Sequence, residues 1–303
     1  MSSLKNYTLW IGGAMLALVL FVMYLGPELP FIDKSLTPEK HRWSEQGKLM
    51  LPPYKASDLN WLGSDKKGVD NLSKLVVGTK ETVYIVFFIA LLRYIIAVPL
   101  GVLAYKQKGV AHWLVTSLNQ IFTFLPVIFS AILLLSMPFI QYSSNRILWV
   151  IPILALLEVG RVAHIVQQQA NHISHELFVE AGESLGLSGW RLIRNYYMPS
   201  LVPEIVINFC IDLGKVMLLI GQLGVLSIFL THNWAEVDYF TMKFVNTSTN
   251  WVSLLAETRA DIYLSKFTFV FYPALAILFT VLTFNLLGEG LRRHFNRRMG
   301  SYL

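Results

Sequence analysis

Several stretches of this chain contain no charged residue over a length that matches the thickness of a lipid bilayer. Thr8–Gly26 is one such stretch, and Phe267–Leu287 is another. A transmembrane helix needs roughly 20 consecutive apolar residues, because the hydrocarbon core is about 30 Å thick. The chain as a whole is 54% hydrophobic and only 15% charged. These features exclude an ordinary soluble enzyme and predict an all-α protein that crosses a membrane several times.

The same criterion predicts six transmembrane helices. They are Thr8–Gly26, Thr82–Tyr105, Trp113 to about Met137, Ile147–Val166, Leu201–Leu230 and Phe267–Leu287. Pro126 interrupts the third span, and a short turn through Gln141–Arg146 follows it. The fourth span is the weakest, and Glu158 and Arg161 near its far end imply that this end meets water or a protein partner. No small-x-small cleavage site follows the first span, so we expect an uncleaved anchor.

Basic residues in the short loops fall on one side of the membrane if there are six spans. They are Lys5, Lys106, Lys108, Arg191, Arg194, Arg292, Arg293, Arg297 and Arg298. Cytoplasmic loops carry an excess of Lys and Arg, so this orientation places both termini in the cytoplasm. The net charge of +6 is scattered and forms no stripe for nucleic acid. We expect the arginine-rich tail to contact anionic lipid headgroups.

Three regions follow from this topology. Residues 1–26 form the cytoplasmic end and the first span, residues 27–77 an extracellular segment, and residues 78–303 a core of five spans. The core contains a cytoplasmic loop at about residues 170–199 and the basic tail. The chain has one cysteine, Cys210, which lies in an apolar run, so we expect it to pack there rather than form an intrachain disulfide.

The stretch Val179–Pro203 in this loop predicts a helix, a turn and a second helix. Val179–Leu185 favours a helix, Gly186–Gly189 would stop it, and Trp190–Tyr197 would begin another that Pro199 ends. A short amphipathic helix held between two spans is suited to docking into a partner's groove, because it projects apolar anchors from a rigid base.

This stretch resembles the E-A-A-x-x-x-G-x9-I-x-L-P loop of binding-protein-dependent ABC importer permeases. Glu180, Ala181, Gly186 and Pro199 match the motif at its spacing, whereas Gly182, Tyr196 and Met198 replace the family's alanine, isoleucine and leucine. The resemblance implies that the ATPase-coupling residues are Glu180, Ala181, Gly182, Glu183, Leu185, Gly186 and Pro199.

Three further segments resemble the C-type permease of oligopeptide and dipeptide importers. Trp61–Asp65 followed by Gly68–Ser73 is similar to the family's P-L-G-T-D-x-x-G-R-D-x-L-S stretch, with Val69 in place of arginine. Leu226–Leu230 stands where the family has L-S-F-L-G, and Asn285–Arg292 resembles its N-x-x-G-D-G-L-R end. Gln222 replaces a glutamate that the family carries before the L-S-F-L segment, which could alter gating or substrate preference.

The resemblance implies a multi-pass permease in the plasma membrane of a prokaryote, with six spans of the type I importer architecture. Its partners would be a second, similar permease, two ATP-binding subunits, an extracellular solute-binding lipoprotein and membrane lipid. The sequence contains no G-x-x-x-x-G-K-[ST] phosphate loop, so we expect no cofactor on this chain, and ATP and Mg²⁺ in the partner subunits. The resemblance predicts uptake of oligopeptides or dipeptides; a nickel or other metal-chelate substrate is the alternative within the family.

Charged residues within the predicted spans are candidates for the translocation pathway. Each costs roughly 2.5 to 3.5 kcal/mol at the bilayer centre if it is unpaired. The candidates are the charged residues Arg93, Asp212 and Lys215 and the polar residues Asn208 and Gln222. Two interpretations are open: they line the pathway, or Asp212 and Lys215 pair along their own helix. We also expect Arg93 to neighbour Asp212 across the bundle.

Two other patterns suggest different chemistry. Gly182–Gly186 matches the G-x-S-x-G pattern of hydrolases, but helix formers precede Ser184 instead of the buried strand that an exposed nucleophile requires. An intramembrane hydrolase is therefore the alternative from a different class. His172 and His175, with Glu176, could place metal ligands on one helical face, but a solvated or partner-facing helix surface is the ordinary explanation for them.

Overall fold

The structure is a computed structural model that describes residues 6–43, 47–238, 241–258 and 267–299. Most of these residues are helical. The helices are α1 (Tyr7–Tyr24), α2 (Asn71–Leu103), α3 (Gly109–Phe124), α4 (Val127–Leu135), α5 (Pro138–Gln141), α6 (Ile147–Leu156), α7 (Val159–Ser174), α8 (Leu177–Ser184), α9 (Gly189–Leu192), α10 (Met198–Val225), α11 (Trp251–Thr258) and α12 (Phe267–Met299). The two ends of the chain, residues 1–5 and 300–303, lie outside the described residues.

The described chain divides into two compact units. The first contains residues 6–13, 86–219 and 282–299, and the second contains residues 14–43, 47–85, 220–238, 241–258 and 267–281. Four of the candidate pathway residues belong to the first unit, and so does the predicted docking loop. They are Arg93, Asn208, Asp212 and Lys215, whereas Gln222 belongs to the second unit.

Four helices of the described residues are long and apolar enough to cross a membrane. They are Tyr7–Tyr24, Asn71–Leu103, Ile147–Ser174 and Val270–Asn296. The number becomes five if α3 and α4 are counted as one span, although they are bent by 92°. Pro126 separates the two helices, because it has no amide hydrogen and its ring excludes a continuous helix. The six predicted spans remain a prediction, in which α10 occupies the place of the fifth.

The second helix begins earlier than the sequence indicated. We expected an apolar span from Thr82, but α2 starts at Asn71. Asp70 acts as the helix cap, since its Oδ2 accepts hydrogen bonds from the backbone N and the Oγ of Ser73, both at 2.7 Å. The end of the predicted extracellular segment is therefore the first part of a 33-residue helix.

The fourth span is longer than predicted. We expected it to end at Val166, whereas α6 and α7 together continue to Ser174. Sequence hydropathy misses the end of α7 because this helix has two different faces. Val159, Val162, Ala163, Val166 and Ala170 are buried on one face, and polar residues occupy the other. Glu158 and Arg161 consequently lie in the middle of the span and not at its far end.

The segment between α1 and α2 contains a short antiparallel pair, β1 (Arg42–Trp43) and β2 (Leu49–Met50), with Arg42 opposite Met50. Arg42 also forms an ion pair with Glu39 and lies 4.6 Å from the centre of the Tyr54 ring. The hydrogen bonds from Arg42 lower the pKa of the Glu39 carboxyl. Gly68 allows a tight turn here, since its φ is +84° and a Cβ would lie 2.0 Å from the carbonyl oxygen of Glu39.

The segment between α10 and α12 contains regular structure. An antiparallel hairpin pairs β3 (His232–Asp238) with β4 (Thr241–Asn246), so the mostly helical fold includes two small β elements. Helix α11 follows, and its residues 251–256 are all buried. Asn250 caps it by accepting a hydrogen bond from Ser253 N at 2.9 Å, and Trp251 Nε1 donates to Leu75 O at 2.8 Å.

Within the first unit, the start of α1 packs tightly against α12. A Cβ on Gly12 would lie 2.7 Å from the backbone nitrogen of Leu287, whereas a Cβ on Gly13 would have nothing within 4 Å. Asn6 Nδ2 donates to Gly290 O at 2.7 Å at the same contact. The two adjacent glycines therefore differ only in what they face.

We predict that Gly12→Ala destabilises the protein and that Gly13→Ala does not. Overpacking a tight contact costs about 1 to 3 kcal/mol, and the atom that the new methyl group meets is backbone, which cannot rotate away. The thermal unfolding midpoint of each variant in detergent measures the difference. Equal midpoints for the two variants would show that α1 and α12 do not pack at Gly12.

Candidate functional site

Arg93 is the centre of a group of charges buried within the first unit. It lies in α2, and its side chain is 0% exposed. Its Nη1 donates to Asp212 Oδ2 at 2.6 Å and to Glu158 Oε2 at 2.8 Å. Its Nη2 and Nε donate to two carbonyl oxygens in the last turn of α6, Leu154 O at 2.9 Å and Ala155 O at 3.3 Å.

The break between α6 and α7 provides these acceptors. Carbonyl groups in the last turn of a helix have no intrahelical partner, and they carry the negative end of the helix dipole. α6 ends at Leu156 and α7 begins at Val159, so the carbonyls of residues 154 and 155 are free to accept from a guanidinium. A continuous helix would have used them internally.

Arg161 completes the cluster from α7. Its Nη2 donates to Asp212 Oδ1 at 2.6 Å, and its Nε donates to Glu158 Oε1 at 2.9 Å. Each carboxylate therefore bridges the two arginines. We call Arg93, Glu158, Arg161 and Asp212 the charge cluster. Its two positive and two negative charges cancel, which is what a low-dielectric interior requires.

The structure brings Arg93 and Asp212 together, as the sequence analysis expected. It contradicts the expectation that Asp212 pairs with Lys215 along their own helix. Lys215 is exposed, and it makes no ion pair within the described residues. Sequence reasoning missed Glu158 and Arg161 as members of the cluster. Their opposite charges at i and i+3 were the available signal, but the predicted span was too short to place them mid-membrane.

The other candidate pathway residues have different surroundings. Asn208 is half-buried on α10, one turn before Asp212. Gln222 is exposed on the same helix, in the part that belongs to the second unit. A lining role for either residue stays a prediction. Aromatic side chains lie near the cluster on the same helices: Tyr94, next to Arg93, meets Phe209 edge to face at 5.1 Å between ring centres.

The predicted docking loop folds as a short exposed helix. α8 is followed by a turn at Gly186, whose φ of +75° is a left-handed conformation that favours glycine. Leu185 is 79% exposed and Trp190 is 71% exposed. Of the predicted coupling residues, Gly182 is buried, and the others are exposed: Glu180, Ala181, Glu183, Leu185, Gly186 and Pro199.

Gly182 is buried where α8 meets the segment that follows the turn. A Cβ there would lie 3.0 Å from Leu192 Cδ2 and 3.4 Å from Leu187 Cδ1. Helix α8 therefore packs closely on the segment that follows the turn. Beneath it, Val179, Leu192 and Tyr197 belong to an apolar cluster that holds α8 and α9 to the rest of the first unit.

Pro199 does not end a helix, contrary to the sequence prediction. It is the second residue of α10, and a π-helical turn over Ile193–Tyr197 precedes it. Proline is tolerated in the first turn of a helix, and the wider π turn accommodates the missing amide hydrogen. α9, the π turn and α10 consequently follow one another without an intervening loop.

The two competing patterns lack the geometry that their chemistry needs. Ser184 lies at the end of α8, and its hydroxyl donates to Glu180 O of the same helix at 2.9 Å. The strand-to-helix turn of a nucleophilic serine is not formed there. His172 Nδ1 lies 3.7 Å from Glu176 Oε1, and within the described residues no group of three or more His, Cys, Asp or Glu could hold a metal ion.

Membrane-crossing helices, a neutralised charge cluster and an exposed helix for docking define a membrane transport subunit. The chain belongs to the binding-protein-dependent transport system inner membrane component family, which it matches over residues 97–301. It is therefore a multi-pass permease of the prokaryotic plasma membrane, in a family whose importers work with ATPase and substrate-binding subunits.

Three relatives match most of the chain. The glutathione transport system permease protein GsiD of Pectobacterium atrosepticum is 25% identical over 245 residues, which are 81% of this chain and 75% of the relative. The probable D,D-dipeptide transport system permease protein DdpC of Escherichia coli strain K12 is 23% identical over 299 residues, 98% of this chain and 90% of the relative. GsiD of Escherichia coli O6:K15:H31 is 28% identical over 233 residues, 77% of this chain and 70% of the relative.

We predict that removing Arg93 is strongly destabilising and that a second, charge-balancing change partly restores the protein. Arg93→Met leaves two buried carboxylates with one arginine, a change that costs about 3 to 5 kcal/mol. Adding Asp212→Asn returns the cluster to one positive and one negative charge. The double variant should therefore yield more folded protein than Arg93→Met alone.

The measurement is the thermal unfolding midpoint and the monodisperse fraction in detergent. Arg293→Met is the matched control, because Arg293 forms an exposed ion pair with Glu289 at 3.0 Å, and such pairs contribute about 1 kcal/mol or less. If the double variant is no better than Arg93→Met, the cluster is not held together by charge balance. Exchanging the charges of Arg93 and Asp212 would not test this pair alone, because Arg93 also donates to three other acceptors.

Proposed function

We propose that this chain is the permease subunit of an ATP-driven ABC importer that takes up oligopeptides or dipeptides. The observation that carries the proposal is the match to the permease family over residues 97–301. The names of the relatives support a peptide substrate, since they are described as permeases for glutathione and for D,D-dipeptides. A nickel or other metal-chelate substrate has no such support among them.

The importer would contain two permeases, two ATP-binding subunits and an extracellular solute-binding lipoprotein. In this arrangement the chain has six spans with both termini in the cytoplasm, and residues 27–77 lie outside the cell. ATP and Mg²⁺ bind to the ATP-binding subunits, and this chain binds neither. Arg292 and Arg293 in the last part of α12 support a cytoplasmic carboxyl end, because basic residues concentrate on that side.

The exposed helix α8 is the proposed contact with the ATP-binding subunit. Its neighbours Leu185 and Trp190 offer two large apolar anchors, which are the kind of residue that dominates a helix-in-groove interface. When ATP closes the partner dimer, α8 follows, and the movement passes through α9 and the π turn into α10. α10 carries Asp212, so one continuous chain segment joins the predicted docking loop to the charge cluster.

The first experiment is to express the chain with its neighbouring transport genes, purify it in mild detergent and identify the bound proteins. The expected result is a second permease and an ATPase in stoichiometric amount. The complex in liposomes, with the solute-binding protein outside, should accumulate a labelled dipeptide only when ATP is inside. An isolated chain with no ATPase, or accumulation without ATP, would overturn the proposal.

We predict that Leu185→Asp uncouples the importer. Losing one central apolar anchor costs about 2 kcal/mol, or roughly a 30-fold weaker association with the ATPase. Leu59→Asp is the matched control, because Leu59 is 74% exposed but lies between α1 and α2. ATPase recovery in the pull-down and peptide uptake should both fall for Leu185→Asp alone. Equal recovery for the two variants would exclude Leu185 from the interface.

We predict that Ser184→Ala retains uptake. The Ser184 hydroxyl bonds only to its own helix, so its loss leaves α8 intact. An intramembrane hydrolase that used this serine would instead lose all activity. Uptake of labelled dipeptide by the reconstituted complex separates these outcomes.

A further inference from the structure

Helix α7 has a continuous polar stripe that the charge cluster does not explain. Opposite its buried apolar face it carries Arg161, His164, Gln168, His172 and, just past its end, His175, spaced by three or four residues. This spacing places all five on one side of the helix. Gln168 and His172 are exposed, and Arg161 retains 31% of its side-chain surface.

The stripe begins at the centre of the span and runs to one end. Arg161 is near the midpoint of the Ile147–Ser174 span. His172 is 11 residues further on, which is about 16 Å along a helix and roughly half of the hydrocarbon thickness. A row of imidazole and amide groups over that depth cannot face lipid, because polar groups in hydrocarbon must be hydrogen-bonded.

Polar atoms along the stripe and at its end indicate water. His164 Nε2 contacts Gln168 Nε2 at 2.8 Å, but His164 Nδ1 is buried and has no hydrogen-bond partner among the described residues. The end of the stripe opens into a cavity of about 540 Å³ that is lined by six residues of polar or charged type. Its lining residues are Gln107, Gln168, Asn171, His172, His175 and Glu176.

The surface at the start of the stripe, near Arg161, carries a net positive charge. The charge cluster is neutral, but Lys215 adds an exposed cation on α10, one turn beyond Asp212. Lys215 is ten residues before the end of α10, about 15 Å along the helix, so with α10 as the fifth predicted span it lies near the bilayer centre. An unpaired ammonium at this depth requires water or an anion.

We propose that the polar stripe of α7 is this chain's wall of the inner half of the translocation pathway, and that Lys215, at its start, attracts the carboxylate end of the solute. This inference rests on the proposed function of the chain as a permease. A cation at this place favours a small solute with a free carboxylate. The side chains at positions 164, 168 and 172 line the path that the solute follows.

Cysteine accessibility tests the path without requiring knowledge of the solute. Cys210 is the only cysteine, so a Cys210→Ser background gives a single reactive thiol at each chosen position. His164→Cys and Gln168→Cys are placed on the stripe. Leu282→Cys is the matched control, because Leu282 is 47% exposed near the middle of α12 but has an apolar neighbourhood in sequence. Each variant is purified with its partner subunits and treated with the hydrophilic thiol reagents MTSES (anionic) and MTSET (cationic).

The expected result is modification at 164 and 168 and little at 282. At position 164 the anionic reagent should be favoured over the cationic one by a factor on the order of ten, after correction for their rates with a free thiol. Lys215→Gln should reduce this preference, and Lys215→Arg should retain it. Modification at 164 and 168 no faster than at 282 would overturn the pathway, and a preference unchanged by Lys215→Gln would overturn the role of the cation.

These outcomes are distinct from failure of the proposed function. Labelled dipeptide uptake by the same Cys210→Ser complex tests whether the chain imports peptides at all. Accessible thiols at 164 and 168 without peptide uptake would retain the pathway and reject the peptide substrate. Uptake together with inaccessible thiols would retain the importer and reject this wall.

Discussion

The ion pairs of Arg93 constrain the first unit more than any other interaction. A guanidinium with no exposed surface in a membrane-spanning helix is tolerable only if its charge is cancelled and its nitrogens are hydrogen-bonded. Asp212 and Glu158 provide the negative charge and accept from Nη1, and two helix-end carbonyls accept from Nη2 and Nε. Because these acceptors come from α6, the α6–α7 junction and α10, the position of Arg93 sets the positions of three further elements. The break between α6 and α7 is thus part of the charge cluster, since an unbroken helix would keep its carbonyls for itself.

A continuous run of helix connects the charge cluster to α8, the exposed helix of the predicted docking loop. α8 rests on Leu192 and Tyr197, which lead through the π turn directly into α10, and Asp212 is 14 residues from the start of that helix, about 21 Å away. No loop separates α9 from α10. A displacement of α8 is therefore transmitted to the charge cluster instead of being absorbed by a flexible segment.

Sequence reasoning found most of the apolar helices because hydropathy over about 20 residues reports directly on burial in lipid. It failed where a helix has two faces or where a short segment is buried by tertiary packing. α7 was cut short at Val166 because its polar stripe lowers the average, and α11 was missed because its eight residues are too few for a span. Arg93 was expected to meet Asp212 because Arg93 was an isolated charge in an apolar run. Glu158 and Arg161 were not included, since the predicted span ended at Val166 and therefore placed them near its end. Pro199 was misplaced because a proline signals a helix end or a helix start with equal force.

The polar stripe and the exposed lysine also bear on whether this chain can function alone. A single Lys at the bilayer centre costs roughly 2.5 to 3.5 kcal/mol against lipid, and the imidazole and amide groups below it add to that cost. The charge cluster removes this penalty for its own four members but does nothing for Lys215, Gln168 or His172, which remain exposed on the first unit. In a lone chain this surface would face lipid, whereas a second subunit could enclose it around water. The distribution of polar surface therefore favours a pore that is completed by another permease, and it indicates that the shared, water-filled side of this chain is the side that carries α7.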